Sequence, residues 1–129
     1  MPKAWVKERK KEYYYRKAKE EKFRSRAAYK LLQAVEKHRF IKPGDVVVDL
    51  GAAPGGWTQA SRRIVGGSGF VLGVDLKHME PIDLPNVCTV AGDVTDSQIT
   101  QNIRELLPRS ADVVISDVSP NISGIWELD

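Results

Sequence analysis

Four aspartates, Asp49, Asp75, Asp93 and Asp117, each stand at or just past the carboxyl end of an apolar, β-branched run. Aspartate is depleted inside strands, so its recurrence at these four places needs a cause. In an open parallel sheet the carboxyl ends of the strands line one crevice, where carboxylates can hold the hydroxyl, amino or ammonium groups of a polar ligand. Singly, each Asp reads equally well as a helix cap or a turn former. The four together, beside a glycine-rich turn, favour a ligand site. That turn is Asp49-Leu50-Gly51-Ala52-Ala53-Pro54-Gly55-Gly56-Trp57. Glycines between a buried strand and a helix let the backbone approach a ligand closely, and the helix N-terminus offers N–H groups without partners. Gly51, Gly55 and Gly56 are the candidates for that approach.

The ligand class follows from charge. A phosphate loop would carry Lys-Ser/Thr after its glycines, which is missing here, and the spacing departs from Gly-x-Gly-x-x-Gly. Asp49, just before the turn, would repel a pyrophosphate and attract the ammonium of an amino-acid moiety, which favours S-adenosylmethionine (SAM) over a dinucleotide. Asp75 lies about where an acid meets ribose hydroxyls in such folds, and Asp93, one strand further, is placed to accept from an adenine amino group. Trp57 reads as helix core able to touch the cofactor as well. His38, at a helix end, reads as a partner of the helix dipole, and His78 as a solvated loop residue. The single cysteine, Cys88, lies in the apolar stretch Val87-Cys88-Thr89-Val90 and reads as a small buried hydrophobe, leaving no cluster for a metal ion.

The elements that must position these groups alternate. Ala28, Leu31, Leu32 and Val35 recur at helical spacing behind Ser25, a candidate N-cap, and predict a packed helix to about His38 that carries Lys30. Lys42-Pro43-Gly44-Asp45 is a turn, and 46–50 is a strand covered on both faces. A helix over 57–64, strands over 70–74 and 87–91, a helix over 97–107 and a fourth strand over 112–116 follow. Strands alternating with helices predict an α/β fold, a parallel sheet with helices on both faces. Strand four reads as an interior strand that would be left as an exposed apolar edge and a place for self-association.

Composition is that of a globular domain, with 42% hydrophobic and 29% charged residues, and excludes wholesale disorder. No apolar run approaches a membrane span and the N-terminus lacks the apolar core of a signal peptide, so a cytoplasmic protein is expected. The net charge of +3 hides an asymmetry: residues 1–30 hold 12 Lys/Arg against 4 Glu, and residues 31–129 hold 8 basic against 13 acidic groups. The chain divides into a basic arm, 1–22, and a domain, 23–129. Trp5, Tyr13, Tyr14, Tyr15 and Phe23 among the basic residues suit phosphate contact and base stacking. The plainer reading is a solvated charged segment. Arg24 and Arg26 are candidate phosphate contacts on the same terms.

Three blocks in order, Ser25-Arg26-Ala27-Ala28-Tyr29-Lys30-Leu31, the glycine turn through Trp57, and Ser116-Asp117-Val118-Ser119-Pro120-Asn121-Ile122-Ser123-Gly124, resemble the FtsJ family of ribose 2′-O-methyltransferases. The resemblance implies a Rossmann-like methyltransferase fold and SAM contacts at Gly55, Trp57, Asp75, Asp93 and Asp117. Of the family's catalytic Lys-Asp-Lys-Glu, it implies that the first Lys is Lys30 and the Asp is Asp117. The second Lys and the Glu belong to later strands of the family with no counterpart in 1–129, so the chain is expected to be a fragment that binds SAM. Ribosomal RNA of the large subunit is the implied substrate, with transfer RNA and a non-catalytic RNA-binding module as alternatives.

Overall fold

The computed structural model describes residues 23–119 and 122–125, with side chains given through Ser116. The basic arm over 1–22 lies outside the described residues. In chain order the elements are α1 (Ala27–His38), β1 (Val46–Leu50), α2 (Gly56–Val65), β2 (Phe70–Asp75), β3 (Val87–Ala91), α3 (Ser97–Leu106), β4 (Val113–Ser119) and β5 (Ile122–Ile125). They form one sheet in the order β3-β2-β1-β4-β5. The first four strands are parallel, as expected from their alternation with helices.

Period-two alternation sends successive strand residues to opposite faces. Val47, Val71, Val87 and Ile115 join Ala28, Leu31, Leu32 and Val35 of α1 and Ala60 and Val65 of α2 on one face. Val48, Leu72 and Val74 lie on the other, against Cys88, Val114 and Ile103 of α3. Each buried Val or Leu stabilises by roughly 1.5–3 kcal/mol, so β1 and β2, covered on both faces, form the rigid frame for the loops above them. Lys37 and His38 occupy the last turn of α1, where the Lys37 ammonium offsets the carbonyl end. The helix stops at Arg39, whose left-handed backbone (φ 53°) turns its N–H back onto Val35 O.

Two expectations are corrected. Ser25 does not cap α1: Arg26 holds the N-cap position without a side-chain bond, and the Ser25 hydroxyl packs against Gly56 at the start of α2. Nor is β4 an open edge. The chain reverses after Ser119 and β5 pairs antiparallel with β4, matching Ile115 to Ile125, Ser116 to Gly124 and Ser119 to Ile122, with a break in register between. Self-association through a bare β4 therefore loses its physical basis.

The amino ends of the central strands are fixed separately from their carboxyl ends. The Asp112 carboxylate accepts from Val46 N (2.8 Å) and from Arg109 (2.7 Å), whose other nitrogen donates to Gly44 O. The Val46 N–H first, and then Arg109, hold this carboxyl below the usual range. Asn86 donates to Gly66 O and Gly69 O, closing the turn before β2.

Candidate functional site

Register brings the predicted acids together. Leu50 pairs with Val74 and Ser116, and Val74 with Val90, so these four residues form one row across the sheet. One residue further on, Gly51 lies between the strand positions of Asp75 and Asp117. The strand order reverses here, with β2 on one side of β1 and β4 on the other. Open α/β sheets bind ligands at such a switch.

The glycine turn is folded over the end of β2. Gly51 adopts φ 75°, and its N–H (2.7 Å) and that of Ala52 (2.9 Å) both donate to Val74 O. The Ala53–Pro54 peptide is cis, and Gly55 (φ 118°) begins α2 from the N-cap position. Asp75 holds this turn from below. One carboxylate oxygen accepts from Ala53 N and the other from Lys77 N, each at 2.9 Å. A single side chain at the end of β2 thus sets both the glycine turn and the loop that leaves the strand.

Asp93 is arranged differently. Its Oδ1 accepts from the Thr95 N–H (2.9 Å) and the Thr95 hydroxyl (2.7 Å). The Thr95 N–H, and then the hydroxyl, hold the carboxyl below its ordinary range, so it is ionised at any ordinary pH. An opening of about 410 Å³ runs between these groups, lined by Gly51, Ala53, Asp75, Lys77, Gly92 and Asp93 together with Leu50, Leu76, Val74 and Val94. That volume falls within the roughly 300–1,000 Å³ of small-molecule clefts. Leu76 is 73% exposed and Val94 43% exposed at its rim, each directly after an acid of the site. Sequence reasoning missed this pair. The signal was present in Asp75-Leu76 and Asp93-Val94, where an acid at or just past a strand end is followed directly by an apolar residue.

Other predicted residues sit behind the turn. Asp49 is 1% exposed and accepts from the Thr58 hydroxyl (2.8 Å) in the first turn of α2, where the helix N-terminus favours a carboxylate. It supports the turn from beneath and does not line the opening. Gly56 backs onto Ser25, leaving no room for a Cβ. Trp57, half-buried, donates from Nε1 to Ala27 O (2.8 Å) and packs against the core, joining α2 to α1. Arg24 spans the outside of the turn. Its guanidinium donates to Pro54 O (3.2 Å), Glu80 O and Pro81 O (2.8 Å), and its own N–H donates to Gln59 (2.7 Å). A second opening of about 590 Å³ lies beside it, between Pro54 and the 77–80 loop. Arg26 and Lys30 are exposed at the start of α1. They are four residues apart and so share one helix face. The backbone of Asp117 lies in β4, and its side chain lies outside the described residues.

A parallel sheet whose strand ends present acids around a glycine turn defines a Rossmann-like nucleoside-binding domain. Residues 23–129 match the FtsJ-like methyltransferase family, and the chain belongs to it. Among similar proteins is "Ribosomal RNA large subunit methyltransferase E" of Methanocaldococcus jannaschii, 52% identical over 98% of this chain and 53% of that protein. The protein of the same name from Methanothermobacter thermautotrophicus is 49% identical over all of this chain and 61% of its own length. The chain therefore spans between half and two thirds of these relatives. A crystal structure described as a ribosomal RNA methyltransferase from Plasmodium falciparum superposes with a TM-score of 0.62 at 31% identity, covering 74% of this chain and 56% of that one.

Proposed function

We propose that this chain is the cofactor-binding part of a SAM-dependent methyltransferase that modifies the 2′-hydroxyl of a ribose in large-subunit ribosomal RNA. The observation that carries the reading is the opening at the ends of β1, β2 and β3, where Asp75, Asp93, the glycine turn and two exposed apolar side chains meet. Family membership and the names of the relatives support it. SAM, when bound, supplies a methyl group on a sulfonium sulfur.

The residues divide the work. Asp93, with Oδ1 engaged by Thr95, keeps Oδ2 for an adenine amino group, and Leu76 and Val94 flank the ring. Asp75, whose oxygens already accept from Ala53 and Lys77, has lone pairs left for ribose hydroxyls. Gly51 and Gly55 bring bare backbone beside the amino-acid portion, with Asp49 and Trp57 fixing the turn behind them. Methyl transfer is an in-line displacement, so the receiving hydroxyl must be held close behind the methyl carbon. Lys30 donates to that hydroxyl and steadies its developing negative charge, with Asp117 as its acidic partner across the switch point. Arg26, on the same helix face as Lys30, takes a neighbouring phosphate. The 1–22 arm grips the RNA backbone, in the cytoplasm. Among the described residues no helix is long and apolar enough to cross a membrane.

The test is transfer of labelled methyl from SAM by the full-length protein to large-subunit ribosomal RNA, with transfer RNA in parallel. Ribosomal labelling that is lost in Lys30→Ala and Asp117→Ala is expected. Labelling of transfer RNA alone would replace the substrate. SAM binding without transfer to either RNA would leave a binding module.

A further inference from the structure

The two loops that flank the nucleoside opening are held at two levels by side chains of opposite charge. On the inner level the Asp75 carboxylate accepts the N–H groups of Ala53 and Lys77. On the outer level the Arg24 guanidinium donates to the carbonyls of Pro54, Glu80 and Pro81, one on the glycine turn and two on the loop after β2. The same two segments are thus joined twice, once through their donors and once through their acceptors. Arg24 is itself anchored, since its backbone N–H donates to the Gln59 side chain in α2. It also fills the space over Gly55, where a Cβ would meet Arg24 Cδ and Nη1 at 3.2 Å. A planar guanidinium suits this place because it presents several N–H donors in fixed directions, whereas a lysine ammonium is a single point.

Building on the cofactor reading above, we propose that Arg24 is a positioning residue for SAM, setting the separation of the glycine turn from the 77–82 loop by bridging their carbonyl oxygens. It acts through the backbone of those loops and does not touch phosphate. Arg24 is therefore distinguished from the exposed Arg26, two residues along, by what its nitrogens bond.

The experiment uses the full-length protein with Arg24→Gln and Arg24→Lys, reading SAM affinity by calorimetry, KM for SAM against kcat, the ligand-free thermal midpoint, and the salt dependence of RNA binding. Both variants should bind SAM at least about tenfold more weakly, the loss expected when charge-assisted hydrogen bonds are removed. Arg24→Lys keeps the charge, so its salt slope for RNA should stay near wild type while KM for SAM rises and kcat is recovered at saturation. Wild-type SAM affinity in Arg24→Lys, with RNA affinity and salt slope reduced in Arg24→Gln, would make Arg24 a phosphate contact and overturn the proposal. Unchanged SAM affinity in both variants would overturn it too. Failure of the wild-type protein to bind SAM would instead remove the cofactor reading, and this inference with it.

Discussion

At the scale of single residues, the acids that look alike in the sequence do three different jobs. Asp49 is buried beneath α2, Asp75 binds two backbone N–H groups, and Asp93 stands at the opening with one oxygen held by Thr95. Parity explains the first: Asp49 shares a strand face with Val47, which points into the α1–α2 core, so its carboxylate must find a partner there and finds Thr58. The difference between Asp75 and Asp93 is testable. Asp75→Ala removes the acceptor of two backbone donors, which costs about 1–3 kcal/mol for each donor left unpaired, so thermal stability and SAM affinity should fall together. Asp93→Ala, at an exposed position, should weaken SAM binding and leave the melting temperature nearly unchanged. Leu76→Ser belongs with the second case. A side chain 73% exposed contributes little burial to the fold, so loss of SAM affinity at constant stability would mark it as a wall for the adenine. A parallel loss of stability would make it ordinary loop packing.

At the scale of elements, the glycine turn is the piece whose backbone geometry is most constrained. Gly55 holds φ 118° at the N-cap of α2 and lies against Arg24, so an alanine there meets both backbone strain and a side chain. Gly55→Ala should therefore destabilise by about 1–3 kcal/mol. Chemical denaturation checks this, and SAM affinity should drop further than stability alone explains because the turn shifts relative to β2. Much of this frame was legible beforehand. The strand over 46–50 announces itself because a strand covered on both faces needs an unbroken apolar, β-branched run, those over 70–74 and 87–91 because they are largely apolar between breakers, and α1 because Ala28, Leu31, Leu32 and Val35 keep helical period. β5 was not legible, since Pro120, Asn121, Ser123 and Gly124 are residues that strands avoid, and only pairing with β4 gives Ile122–Ile125 its extended form. Arg24 was read as a phosphate contact for the same kind of reason. Its carbonyl partners lie 30 to 57 residues away, and no local pattern encodes them.

At the scale of the whole molecule, charge and architecture are divided along the chain. The domain from residue 31 onward is acidic, with 13 Asp and Glu against 8 Lys and Arg, whereas residues 1–30 carry 12 basic groups. An acidic domain alone repels a polyanion, so under the proposed function affinity for RNA is expected to come from the basic residues ahead of α1 and from Arg26 and Lys30 at its exposed start. This separates affinity from cofactor binding. Deleting residues 1–22 removes 9 Lys/Arg and 4 Glu and none of the residues that line the opening at the strand ends. If about four of those basic groups contact phosphates, the slope of log affinity against log salt should flatten by about 3. Titrations of RNA at several salt concentrations, alongside calorimetry with SAM, measure both sides of the division. A flattened slope with unchanged SAM affinity supports an arm that delivers RNA to a separately built cofactor site. An unchanged slope would place RNA recognition outside the arm, and the exposed Arg26–Lys30 face of α1 would then have to supply it.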